Sequence, residues 1–222
     1  MSLFLIIMSK KTHNKKGNYS TMNLSYIIID DFLDNAMQLR RLALQSNFPS
    51  PEAKTNYPGK NSEKPILMAS LDTVISDLVG EKLKPMAGTS HGKFRLAFEN
   101  DKGEANVHID NCHWSGILYL TLDEHCQGGT DFYRHKATQT DNAPYTEEQL
   151  KKIGLTDYKQ VWDEILFKDT NDLDKWEHLM NVPMKFNRLV LFRPWLYHNA
   201  GISFGTSIDN ARLIYPLFYQ NI

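Results

Sequence analysis

The sequence predicts a mainly β fold, a sandwich or jelly roll buttressed by amino-terminal helices and carrying a helical insert. Three observations predict it. Two stretches of helical periodicity lie before residue 90, and short runs rich in β-branched, aromatic and leucine residues fill the chain from residue 93 onward. A charged, helix-forming stretch interrupts those runs between His135 and Asn187. Helices first, then a β body with a helical excursion, is the order of two packed layers with helices laid on them. The 222 residues suit one domain with a substantial core, and 41% hydrophobic with 23% charged residues is a globular composition.

The opening "MSLFLIIMSKK" has no basic residue before its apolar run and no cleavage site after it, and it is too short to span a bilayer. The next stretch, "KKTHNKKGNYSTMN", is basic and polar. Residues 1–22 read as a flexible extension with Met22 a candidate start, and residues 23–222 as the domain. Tyr26 to Ile29 is a short β-rich run. Leu33, Met37, Leu39, Leu42 and Leu44 then recur near helical spacing behind Asp34, a plausible N-cap. After the Pro/Gly/Asn-rich loop "PSPEAKTNYPGKNSEKP" a second helix places Leu71, Val74, Ile75, Leu78 and Val79 on one face.

The strand-like runs are "KFRLAFE", "ANVHID", "SGILYLTL", "TDFYRH", "RLVLFR", "LYHNAG" and "RLIYPLFYQ". Gly128-Gly129 permits a tight turn before "TDFY". The insert, about residues 136–186, carries a capping pair, Thr146 and Gln149, before "LKKIG". The segments "DYKQVWDEIL" and "DLDKWEHLM" continue it as helix.

Lys and Arg total 25 against 26 Asp and Glu, a net charge of -1, so there is no strong nucleic-acid signal. Nothing points to a membrane. Two cysteines, Cys112 and Cys126, are too few for a disulfide scaffold, and a reducing, cytoplasmic setting is expected.

Residues 106–135, "NVHIDNCHWSGILYLTLDEHCQGGTDFYRH", hold four histidines, three aspartates and two cysteines. On a strand, residues i and i+2 share a face, so His108 and Asp110 project together. One imidazole and one carboxylate leave a divalent metal short of ligands, and two histidines with one carboxylate form the facial triad of non-haem iron oxygenases. An isolated His-x-Asp is weak evidence. Cys112, His113, His125 and Cys126 make a poor zinc knuckle, because adjacent strand residues point apart. Arg212 heads the last strand, where a buried guanidinium needs a partner: an Asp or Glu, or a co-substrate carboxylate.

The order His108-x-Asp110, "GILYLT", "QGGTDFY", "NRLVLFRPWLYH" with His198, then Arg212 resembles the Fe(II)/2-oxoglutarate-dependent oxygenases. The likeness spans about residues 24–222 and is strongest to the prolyl-hydroxylase-like branch, whose opening strand and helix "IIIDDFLDN" also resembles. The resemblance implies a double-stranded β-helix (jelly-roll) core. It implies Fe(II) held by His108, Asp110 and His198, 2-oxoglutarate as co-substrate, and O2 as oxidant. Arg212 would pair with the distal carboxylate of 2-oxoglutarate, and Tyr119 would offer its hydroxyl to the same group. Pro216 departs from the pattern, standing where relatives often carry a hydroxyl. Hydroxylation of a C–H bond in a small-molecule or peptide substrate is the implied reaction. The insert, as a long connection, is expected to cap the metal-bearing end. Two rivals stand beside this reading: a cupin-like metal enzyme without 2-oxoglutarate, and a non-catalytic jelly-roll binding or virion-associated protein.

Overall fold

Alternation along each strand sorts its side chains into layers. The computed structural model describes residues 24–222 apart from 52 and 54, so the amino-terminal extension and Met22 lie outside the described residues. The strands are β1 (Tyr26–Ile29), β2 (Lys60–Asn61), β3 (Leu83–Pro85), β4 (Arg95–Ala97) and β5 (Trp114–Tyr119). They continue with β6 (Gly129–His135), β7 (Trp176–Pro183), β8 (Leu189–Phe192), β9 (His198–Asn199) and β10 (Arg212–Asn221). All pairings are antiparallel. A seven-stranded sheet runs β1-β8-β5-β10-β4-β2, with β3 also on β10, and a three-stranded sheet runs β7-β6-β9.

Within the large sheet, Ile27, Ile29, Leu118, Leu189, Leu191, Leu213, Tyr215 and Leu217 face one way, against the helices α1 (Ala36–Leu44) and α2 (Leu71–Val79). Their neighbours Tyr26, Ile28, Tyr119, Val190, Phe192 and Ile214 face the other way and meet Phe132 and Val182 of the small sheet. A period of two thus fixes both faces, and a slip of one residue would exchange them. Gly129 allows β6 and β7 to approach: a Cβ there would stand 2.0 Å from the Val182 carbonyl oxygen. The order of layers is helices, large sheet, small sheet and then the insert. Among the described residues no helix is long and apolar enough to cross a membrane.

Several local expectations change. The N-cap of α1 is Asn35, without a side-chain cap bond, and the helix buries Ala36, Leu39, Arg40 and Ala43. Met37 and Leu42, expected on the core face, are exposed. Arg40 takes the inner position because carbonyls satisfy it: Nη1 donates to Leu120 O (2.8 Å) and Nη2 to Asp209 O (2.7 Å). In α2 only Leu71, Ile75 and Val79 are buried, and Val74 faces outward.

The insert is helical only in its first two thirds. Thr146 caps α3 (Glu147–Lys152) by accepting from Gln149 N. Asp157 and Gln160 form a full capping box before α4 (Tyr158–Gln160), which runs on through a π-helical Val161–Leu166 into α5 (Phe167–Asp169). "DLDKWEHLM", expected as helix, is a single 3-10 turn and then β7. The ladder with β6, from Gly129 opposite Pro183 to His135 opposite Trp176, makes it a strand. Its polar side chains sit at a sheet edge, where charge and a terminal proline are tolerated. "ANVHID" is likewise no strand: His108 makes one isolated bridge to His198.

Candidate metal centre

Backbone hydrogen bonds bring the expected triad together. His108 N donates to His198 O (2.9 Å), His198 N returns the bond to His108 O (3.0 Å), and Asp110 N donates to Pro194 O (3.0 Å). β9 is held on its other side by β6, with His198 opposite Phe132. Val107 and Ile109 point away into the core beneath the insert, so His108 and Asp110 point inward. One donor atom from each of His108, Asp110 and His198 lies within 4.8 Å of the others. His108 Nε2 is 3.9 Å from Asp110 Oδ1, and His198 Nε2 is 3.4 Å from Oδ2.

Both imidazoles are oriented by backbone. His108 Nδ1 lies 2.7 Å from Asn106 O, and His198 Nδ1 lies 2.7 Å from Leu196 O. A carbonyl only accepts, so each Nδ1 carries a proton and each Nε2 turns toward Asp110. This is the way protein sites commonly prepare metal-binding histidines. Burial, and then the neighbouring His198, lower the His108 imidazole to a pKa of about 4, which keeps it neutral near pH 7. Burial pushes the Asp110 carboxyl up. Positive charge at the Nε2 atoms, whether a proton on His198 or a metal cation in its place, outweighs it together with the Ser115 hydroxyl, holding the carboxyl well below the usual range.

Asp110 is also held by two residues the sequence did not single out. Tyr57 Oη donates to Oδ1 (3.1 Å) and Ser115 Oγ to Oδ2 (2.6 Å). Tyr57 sits in a loop without periodicity, and only tertiary folding carries it to the site. Its ring lies 4.6 Å from that of His108, and Phe192 lies 4.6 Å from His198.

The triad opens into a chamber walled by apolar groups, including Ile117, Phe192, Ile214, Pro216 and Phe218. Arg212 lines it from the even-numbered face of β10. Its side chain is buried, and its Nε and Nη2 have no hydrogen-bond partner. No carboxylate side chain pairs with it among the described residues. Burial lowers its pKa, and Tyr119 and Asp131 oppose that shift only through space. Arg95 lines the same chamber, but its nitrogens donate to Tyr57 O, Pro58 O and Asn61 Oδ1. Arg134 does not line the chamber and pairs with Glu177.

Tyr119 is fully buried and does not border the chamber. Its hydroxyl lies 2.7 Å from Thr130 Oγ1 and donates to Val182 O (3.4 Å). The insert supplies none of the chamber lining. It packs Leu150, Val161, Ile165 and Leu166 behind the triad segment, and Asn171 alone of its residues reaches the adjoining polar cleft. The expected cap is therefore a buttress. Thr170 fastens it: Val107 N donates to its carbonyl and Asn106 N to its Oγ1, both at 3.0 Å. Cys112, His113, His125 and Cys126 do not gather. His113 faces Glu81 at 2.5 Å, Cys126 donates to Thr121 O, and both cysteines are free.

Comparison with solved structures places the fold. The non-heme alpha-ketoglutarate-dependent carbocyclase SnoK, from nogalamycin biosynthesis, superposes with a TM-score of 0.51 at 13% identity, over 89% of this chain and 79% of that one. AviO1 from Streptomyces viridochromogenes Tue57 superposes with a TM-score of 0.50 at 12% identity, over 89% and 90% of the two chains. At such identities the likeness is one of fold: this mainly β architecture is shared with an enzyme that depends on 2-oxoglutarate. No curated protein matches the sequence. A family model matches residues 13–213, and the chain belongs to that family, a family of unknown function described as DUF6445.

Proposed function

We propose that the protein is an Fe(II)- and 2-oxoglutarate-dependent oxygenase of the prolyl-hydroxylase-like kind, built on a double-stranded β-helix (jelly-roll) core. It would hydroxylate a C–H bond of a small-molecule or peptide substrate. His108, Asp110 and His198 hold the metal: two imidazoles whose Nδ1–H groups are held by carbonyls, leaving each Nε2 for a cation, and one ionised carboxylate fit Fe(II). Bound iron and 2-oxoglutarate supply the oxidising chemistry, with O2 consumed and succinate and CO2 released. The chain positions and shields. Arg212 binds the distal carboxylate of 2-oxoglutarate, the apolar walls keep water out, and the polar cleft beside Asn106, Asn171 and Asn199 receives the substrate. Tyr119 backs Arg212 from the sheet interior, its hydroxyl shared with Thr130.

The observation that carries this reading is Arg212. A buried guanidinium with two unpartnered nitrogens is costly, and a bound carboxylate relieves that cost. A metal enzyme without an anionic co-substrate would have no use for it, which disfavours the cupin-like alternative. Two unpaired cysteines suit the proposed cytoplasmic setting. Anaerobic Fe(II)-loaded protein should gain thermal stability on adding 2-oxoglutarate and form succinate once O2 is admitted. Neither effect appearing would overturn the proposal.

A further inference from the structure

We infer that Tyr57 is a positioning residue for the Asp110 carboxylate, set in place by a strap that Arg95 clamps, and that it controls metal affinity at the centre. The inference rests on the metal reading above and names a residue that reading does not need. Tyr57 touches two of the three candidate ligands: its hydroxyl donates to Asp110 Oδ1 and its ring lies against His108. Ser115 donates to Oδ2 from β5, so the two donors arrest rotation of the carboxylate between them. Each carboxylate oxygen has two acceptor positions, so one on each remains for a cation.

The strap is held more firmly than a loop needs for its own sake. Arg95 Nε donates to Pro58 O (2.7 Å), Nη2 to Tyr57 O (2.5 Å) and Nη1 to Asn61 Oδ1 (2.9 Å). Thr55 Oγ1 adds a bond to Tyr57 O (2.6 Å). Gly59, at φ +86°, lies so close to β4 that a Cβ would stand 2.2 Å from Leu96 O. A buried arginine spent on two consecutive carbonyls fixes where the Tyr57 side chain starts. Tyr57 also borders both the inner chamber and the polar cleft, in company with Pro58, His108, Asn199, Ala200 and Ser203. Hydrogen bonds to metal ligands commonly change metal affinity by about 10- to 100-fold.

Co(II) titration of the metal-free full chain, followed by visible absorption without 2-oxoglutarate, tests this. Tyr57→Phe keeps the ring and removes the donor; it should weaken Co(II) binding about tenfold or more and alter the ligand-field spectrum, with the melting temperature of the metal-free protein unchanged. Arg95→Lys keeps the hydroxyl but loosens the strap, and it should weaken Co(II) in the same direction. Wild-type affinity and spectrum in both variants would overturn the inference. Wild-type protein that takes up no Co(II) would instead sink the metal reading on which it rests.

Discussion

His108 and His198 exchange backbone hydrogen bonds in both directions, at 2.9 and 3.0 Å, across the only bridge that the His108 segment makes among the described residues. Their rings therefore share one register, 4.4 Å apart, although ninety residues separate them in sequence. The centre is thus built from backbone first: a two-residue strand, one bridge, and carbonyls that set the tautomer of each imidazole.

Arg212→Met should act in opposite directions on the two states. Without ligand it removes an unpartnered buried charge, so the variant should unfold at a higher temperature. A gain of about 1–3 kcal/mol corresponds to roughly 2–4 °C per kcal/mol at this size. Binding of 2-oxoglutarate should fall by roughly ten- to a hundredfold, the loss of about 1.5–3 kcal/mol of charge-assisted contact. Calorimetry of both states checks it, and unchanged 2-oxoglutarate affinity would move the clamp elsewhere.

Replacing residues 146–168 by a short Gly/Ser linker should weaken Fe(II) binding. This reverses what a cap would do. The deletion strips Leu150, Leu155, Val161, Ile165 and Leu166 from the cluster behind Val107 and Ile109 and leaves that segment poorly supported. If the variant stays folded by circular dichroism and binds Fe(II) as tightly as the parent, the buttress role is wrong.

Asp30→Asn should reveal a pH-dependent strut between the end of β1 and the start of β8. Arg188 grips Asp30 with Nε at 2.6 Å and Nη2 at 3.0 Å, and Lys185 adds a third contact at 3.0 Å. The Arg188 hydrogen bond, ahead of the opposing effect of burial, lowers the carboxyl to about 2. A folded pKa below the unfolded value of roughly 4 contributes stability that is present above pH 4 and lost as pH falls toward 2. The difference in melting temperature between parent and variant should be flat from pH 8 to 5 and vanish toward pH 2. A difference that persists at pH 2 contradicts the assignment.

Leu39→Ala should cost about 2–5 kcal/mol, while Met37→Ala should change stability by no more than about 0.5 kcal/mol. Leu39 is buried and Met37 is 43% exposed. Denaturant midpoints of the two variants settle which face of α1 is inward.

That helix face shows what the sequence carried and what it did not. Apolar spacing alone placed Met37 and Leu42 inside, because a hydrophobic template treats Arg40 as a surface residue. Arg40 is buried because two distant carbonyls receive it, and no local pattern encodes them. Period-two alternation was more informative. In β10 the same alternation sets Arg212 on the face opposite Leu213 and Tyr215, although the sequence reading placed it only at the head of the strand. His108 and Asp110 were legible as a pair, since they stand two apart on one extended segment. Tyr57 and Ser115 were not, because a hydrogen bond to Asp110 leaves no mark on their own neighbourhoods. β7 was hidden for a related reason: its ladder with β6 makes it a strand, while its exposed polar residues lack the alternation that would announce one.

The central claim is that His108, Asp110 and His198 hold Fe(II) with room left for 2-oxoglutarate. Anaerobic titration with Fe(II) and then 2-oxoglutarate, followed by visible absorption, tests metal, chelation and open coordination together. A weak metal-to-ligand charge-transfer band should appear that needs both additions and saturates at one equivalent of each. Asp110→Ala, which removes one of three ligands, should show no band while keeping the parent's circular dichroism. A parent protein without the band, or an Asp110→Ala variant that retains it at full strength, would contradict the account.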